Sequence, residues 1–173
     1  RARTAGGPRR GGPGGLACGR GRRLPPGLVA RSRRDAISPA FSSDLKRATE
    51  TADIALSAAN IPVRHDARLR ECNYGTLTGR PADDLAPRSR FIETPFPDGE
   101  SYRDVVARVR VFLLDLRGHD GQRVLVIGHS ATRWALDHLL EGTPLAALVD
   151  APFSWRPGWT YWLRDFAGLP VSL

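Results

Sequence analysis

From Asp35 onward, short strand-like runs alternate with amphipathic helical runs. Parallel strands need a helical crossover between them, so this alternation points to an α/β fold with a mostly parallel sheet. Ala36 to Phe41 is a short strand candidate weakened by Pro39, and Ser43 or Asp44 can cap a helix running to about Ala59. Leu45, Ala48, Ala52, Ala55, Leu56 and Ala59 form the apolar stripe of that helix. Ile61-Pro62-Val63 opens a connecting strand. Arg80 to Pro97 is a long, proline-broken excursion, a candidate lid. Ser101 should cap a second helix carrying Val105, Val106, Val109, Phe112, Leu113 and Leu116. Gln122 to Ile127 has the continuous apolar character of a buried strand and ends in Gly128-His129-Ser130, before a helix with Trp134, Leu136, Leu139 and Leu140. Thr160 to Arg164 alternates with period two and is expected to be a last strand. Trp155, Trp159 and Trp162 are assigned to packing.

The first 34 residues are different in kind. They contain ten arginines and no acid, with glycine and proline making up much of the rest. Apolar residues there are too sparse to define a buried face, so residues 1–34 are expected to be disordered or to come from a GC-rich gene read in a shifted frame. Residues 35–173 then form one domain, expected to be incomplete. The overall charge of +8 suggests a nucleic-acid partner until it is placed along the chain. Removing those ten arginines from the 26 basic residues leaves slightly fewer than the 18 acidic ones, and the arginine-rich stretch has no aromatic residue to stack on bases. Nucleic acid is therefore not expected as a partner. Cys18 and Cys72 lie in unrelated contexts, which suggests neither a disulfide framework nor a zinc site. Val124 to Ile127 and Ala146 to Val149 are far below the ~20 residues of a membrane span, and no apolar segment of signal-peptide length is present. A cytoplasmic protein with no membrane partner is expected.

In an open α/β sheet, ligands gather at the carboxyl ends of strands, where the following helix presents free N–H groups and the positive end of its dipole. His129 stands at such a junction, and its plainer reading as a turn filler leaves unexplained why a buried strand delivers an imidazole and a hydroxyl together. Arg47 falls in the first turn of its helix, where a guanidinium can grip phosphate oxygens in a fork that lysine cannot reproduce. A solvated helix-face arginine is the commoner case. Glu71 follows a short strand and precedes Gly75, a place suited to a carboxyl that donates a proton to a leaving oxygen. A surface ion pair with Arg68 or Arg70 is its ordinary alternative. Together the three supply a phosphate clamp, a proton donor and an imidazole.

Four runs carry a family resemblance: Phe41 to Ala52 (FSSDLKRATETA), Leu69 to Gly75 (LRECNYG), Pro97 to Ser101 (PDGES) and Val126 to Ser130 (VIGHS). In sequence and order they resemble the histidine phosphatase superfamily, across roughly residues 35 to 165. The resemblance implies a three-layer, phosphoglycerate mutase-like α/β fold acting on small phosphate monoesters through a phosphohistidine. It makes Arg47 and His129 phosphate-pocket residues, Glu71 the proton donor and the Ser130 backbone amide an oxyanion contact, and it implies no metal or organic cofactor. The family begins with a strand ending in Arg-His-Gly, whose histidine is the nucleophile, and this chain has no such run upstream of Ser43. Arg64-His65-Asp66 is similar only on its surface, since it lies where the family has a connecting segment. The expectation is a sheet missing or replacing its N-terminal strand and a chain with little or no turnover, or else a non-catalytic pseudo-phosphatase binding phosphorylated ligands or protein partners. An α/β-hydrolase elbow centred on Ser130 fails on order, because the only later histidine, His138, lies on the same helix.

Overall fold

The computed structural model describes residues 37–163, so the arginine-rich segment and Cys18 lie outside the described residues. Three parallel strands, β1 (Ile37–Ser42), β2 (Val63–His65) and β3 (Arg123–Ile127), form a sheet in the order β2-β1-β3. Ala40 pairs with Val63 and Leu125, and Ser42 with His65 and Ile127, so all three strands end level with one another. Two further backbone bonds continue the ladder past those ends, from Ser43 N–H to the Ile127 carbonyl and from Asp66 N–H to the Ser42 carbonyl, each 2.9 Å. Pro39 has no N–H to give, and the β1–β3 register is irregular between Ile37 and Ala40.

Side chains on successive strand residues face opposite ways, and this builds three layers. Phe41 points into the main core, edge-on to Phe112 of α2 (Tyr102–Asp115) at 5.3 Å between ring centroids. Its neighbour Ala40 is buried outside that cluster, together with Ala48, Ala52 and Leu56 of α1 (Lys46–Leu56). Helix α1 therefore covers one face, while α2 and α3 (Ser130–Glu141) pack against each other on the opposite one. A short α4 (Leu145–Val149) adds Leu145 and Val149 to the same core.

Helix α2 matches its sequence pattern closely. Ser101 accepts from Asp104 N–H while the Asp104 carboxylate accepts from Ser101 N–H, a complete capping box, and all six stripe residues are buried. Helix α1 departs from expectation at its start: the N-cap is Leu45 rather than Ser43 or Asp44. Asp44 is engaged by Arg70 instead, and Ser43 is held inward by the sheet-end bond. The helix gives way at Ser57 to a 3-10 turn ending at Ala59, which is exposed.

Four other expectations need correction. The Arg80 to Pro97 excursion is no loose flap: it forms two 3-10 turns, buries Leu85, Phe91 and Phe96, and stacks Phe91 on Phe96 at 3.8 Å. Asp150 secures it further by accepting from Arg88 and Ser89 N–H. Of the last strand expected over Thr160 to Arg164, residues 160–163 form no strand and Arg164 lies outside the described residues. Of the tryptophans assigned to packing, Trp155 and Trp162 are 71% and 75% exposed and Trp159 is 40% exposed, because the segment following α4 runs over the surface. Strand β3 is only half-buried where a fully buried run was expected, and among the described residues its side away from β1 pairs with no strand.

Candidate active site

The level strand ends place the starts of α1 and α3 side by side on one edge of the sheet. Glu71, on the loop after the 3-10 turn at Ala67–Leu69, reaches that edge and sits on the N-terminus of α3. Its carboxylate accepts from Ser130 N–H at 3.2 Å and Ala131 N–H at 3.1 Å, and also from Cys72 N–H at 2.9 Å. The Tyr74 hydroxyl lies 3.5 Å from the same carboxylate. Free amides at a helix start, with the positive end of the dipole behind them, are a natural cradle for an anion. Here Glu71 itself fills the cradle, so the Ser130 amide expected to face an oxyanion is engaged by a side-chain carboxylate.

His129 stands next to this contact as the last residue before α3. Thr132 locks its backbone: Thr132 Oγ1 accepts from His129 N–H at 3.3 Å and donates to the Leu69 carbonyl at 2.9 Å. The same pair of bonds ties α3 to the loop that delivers Glu71. Nε2 of His129 is buried and has no hydrogen-bond partner among the described residues. Burial first, and then the charges of Arg47 and Arg108, pull the imidazole from its ordinary value of 6.5 down to about 4. His129 is therefore neutral at physiological pH, with a buried ring nitrogen whose hydrogen-bonding capacity is unused among the described residues.

Arg47 lies one residue into α1, is exposed, and is close enough to lower the His129 pKa by its charge. Asp44, just before that helix, forms a two-point ion pair with Arg70, Nε to Oδ1 at 2.7 Å and Nη2 to Oδ2 at 2.6 Å, which holds the Asp44 carboxyl below the usual carboxylate range. That pair joins the turn leading to Arg47 to the loop leading to Glu71. Arg68 is likewise engaged by Asp66 and Asp115. The ordinary reading of Glu71 as a partner of Arg68 or Arg70 is thus not what the structure shows.

Two residues without an assigned role in the sequence stand behind Glu71. Arg108 of α2 donates through Nη2 to the Glu71 carbonyl, through Nη1 to the Arg68 carbonyl, and through Nε to Glu100, which in turn accepts from Asn73 N–H. Glu100 belongs to one of the four family-like runs, but nothing in Pro97 to Ser101 says where its carboxylate points. Arg108 adjoins the apolar stripe of α2, and a charged residue there looks the same in sequence whether it is solvated or tied down. His65 ends β2 and is exposed, in a groove with Ala52, Asp53 and Leu56. Cys72 is buried, which pushes its thiol up and keeps it from acting as a thiolate. Among the described residues, no three metal-ligating side chains converge.

This constellation lies at the carboxyl edge of a parallel α/β sheet, where ligands of such folds gather. The model of the histidine phosphatase superfamily (branch 1) matches residues 20–156, and the chain belongs to that superfamily. A probable phosphoglycerate mutase GpmB of Yersinia pestis is 34% identical over 133 residues, which are 69% of this chain and 61% of that protein. The chain thus spans about three fifths of the curated relatives it matches. Among solved structures, a mycobacterial hydrolase covers 77% of this chain and 67% of its own at a TM-score of 0.60 and 27% identity. The complex of mycobacterial glucosyl-3-phosphoglycerate phosphatase with inorganic phosphate covers 65% and 62%, at a TM-score of 0.54 and 29% identity. These neighbours place the three-layer arrangement in the phosphoglycerate mutase-like fold.

Proposed function

We propose that the edge formed by Arg47, Glu71 and His129 receives the phosphoryl group of a small phosphate monoester, and that in an intact relative it serves a phosphatase working through a phosphohistidine. The observation that carries this reading is the Glu71 carboxylate on the Ser130 and Ala131 amides beside a neutral His129 whose buried Nε2 has no hydrogen-bond partner among the described residues. Residues 59 and 60 positions apart meet there. The chemistry divides among them by type. Arg47 supplies the permanent charge, with hydrogen bonds to an ionic oxygen worth about 1.5–3 kcal/mol each. The His129 imidazole bonds a phosphoryl oxygen without adding a charge that would have to be neutralised. Glu71, released from the amides and protonated, donates to the leaving oxygen, and the amides it vacates then face the phosphoryl group.

The covalent step needs a nucleophilic histidine that no Arg-His-Gly run provides in this sequence. Loss of such a group commonly costs on the order of 10⁶ in rate. The chain as it stands is therefore expected to bind phosphate monoesters and scarcely to hydrolyse them, the behaviour of a pseudo-phosphatase. The test is to incubate it with p-nitrophenyl phosphate, measuring binding by calorimetry and phosphate release by colour. Binding without release is expected. Release at rates ordinary for a phosphatase would contradict the inactivity, and absence of binding would contradict the pocket.

A further inference from the structure

Glu71 is useful as a proton donor only if its loop holds it at the start of α3, and no regular secondary structure does that work between Arg70 and Gly75. The loop is instead gripped from behind. Arg108 directs its guanidinium to four acceptors: the Arg68 carbonyl at 2.5 Å, the Glu71 carbonyl at 3.1 Å, and both Glu100 carboxylate oxygens at 2.9 and 3.2 Å. Glu100 completes the grip, since its carboxylate accepts from Asn73 N–H at 2.9 Å while its own N–H donates to the Asn73 carbonyl at 2.8 Å. Both partners are largely buried, with 17% and 28% of their side chains exposed.

We propose that Arg108 and Glu100 are positioning residues for the proton-donor step, fixing the backbone at Arg68, Glu71 and Asn73 so that the Glu71 carboxylate registers on α3. This rests on the reading of Glu71 given above. Fold stability alone does not require the pair: α2 already buries Tyr102, Val105, Val106, Val109, Phe112 and Leu113. A desolvated ion pair adds little net stability over apolar residues of similar volume, whereas its geometry is restrictive. The fork geometry matters more than the charge, because a lysine at 108 offers a point charge and cannot span two carbonyls and a carboxylate.

The amide protons of Ser130 and Ala131 report the register directly, since both donate to Glu71. In a ¹H–¹⁵N correlation spectrum, Glu71→Gln supplies the reference positions for a weakened contact. Arg108→Lys is expected to move these two amides most of the way to the reference positions while leaving those of Leu136 and Leu139, farther along α3, in place. Glu100→Gln, which keeps the shape and loses the ion pair, should move them in the same direction by a smaller amount, and it serves if Arg108→Lys does not fold. Ser130 and Ala131 amides at wild-type positions in the folded variants would overturn the proposal. Phosphate binding by the unaltered chain, followed in the same samples, keeps the two readings apart: its loss strikes the phosphate pocket and leaves the register test standing.

Discussion

At the scale of single residues, the site is dominated by groups held away from their ordinary behaviour. His129 is the clearest case. Its folded pKa of about 4 lies below the ordinary 6.5, so between those values the unfolded chain takes up a proton that the folded chain refuses. Stability is then full above about pH 6.5 and falls as the pH drops toward 4. His129→Asn removes that slope. Urea denaturation at a series of pH values measures it, and an unchanged slope in the variant would show that His129 is not buried as described. Glu71 has the opposite relation to an incoming anion, because its carboxylate occupies the amides that a phosphate would use. Glu71→Gln weakens the capping of α3, which should lower stability by about 1 kcal/mol. The same change removes a charge that repels the ligand, so inorganic phosphate should bind several-fold more tightly, as calorimetry would show. Had Glu71 been a mere phosphate ligand, the variant would bind less well.

At the scale of elements, what could be read from sequence divides by kind of interaction. Helices α2 and α3 follow apolar periodicity, and α2 also has a cap three residues before an acid, so their positions were legible along with the strand–helix junction that carries His129. Arg47, Glu71 and His129 stood out through their residue types and through the order of the runs that hold them. The tryptophans are exposed although three of them in eight residues look like core, because burial depends on what the rest of the chain lays over them. Arg108 and Glu100 were invisible as a pair because their meeting is set by how α2 crosses the loops, and side-chain periodicity carries no record of that crossing. The two interlocked loops behind the site rest on glycines. Gly75 has φ of +51°, and a Cβ there would come within 1.8 Å of the Pro97 carbonyl, while one on Gly99 would come within 2.2 Å of the Asn73 carbonyl. Neither obstacle is a side chain that can swing aside. Gly75→Ala should therefore cost more than about 2 kcal/mol, a drop visible in thermal denaturation. Ser101→Ala, which deletes only a cap, should cost about 1 kcal/mol. Equal losses in the two would mean that the loop contact is softer than its backbone geometry implies.

At the scale of the whole molecule, a three-stranded sheet, a two-helix layer and a single covering helix bring the starts of α1 and α3 to one edge. Strand β3 leaves the side away from β1 without a strand among the described residues, and the chain spans 61% of a relative such as the Yersinia protein. The proposed pocket half built from α1, the Glu71 loop and α3 is separate from the absent Arg-His-Gly run, since the hydrogen bonds described for it join residues within 42–132. That separation is why binding and turnover are expected to part company in this chain. The measurement that bears most directly on the account is titration of inorganic phosphate followed in a ¹H–¹⁵N correlation spectrum. Shifts concentrated at Arg47, His129, Ser130 and Ala131, and lost in Arg47→Ala, are the result expected. Shifts scattered over the surface, or an unchanged response in Arg47→Ala, would contradict the claim that these residues form one phosphate pocket.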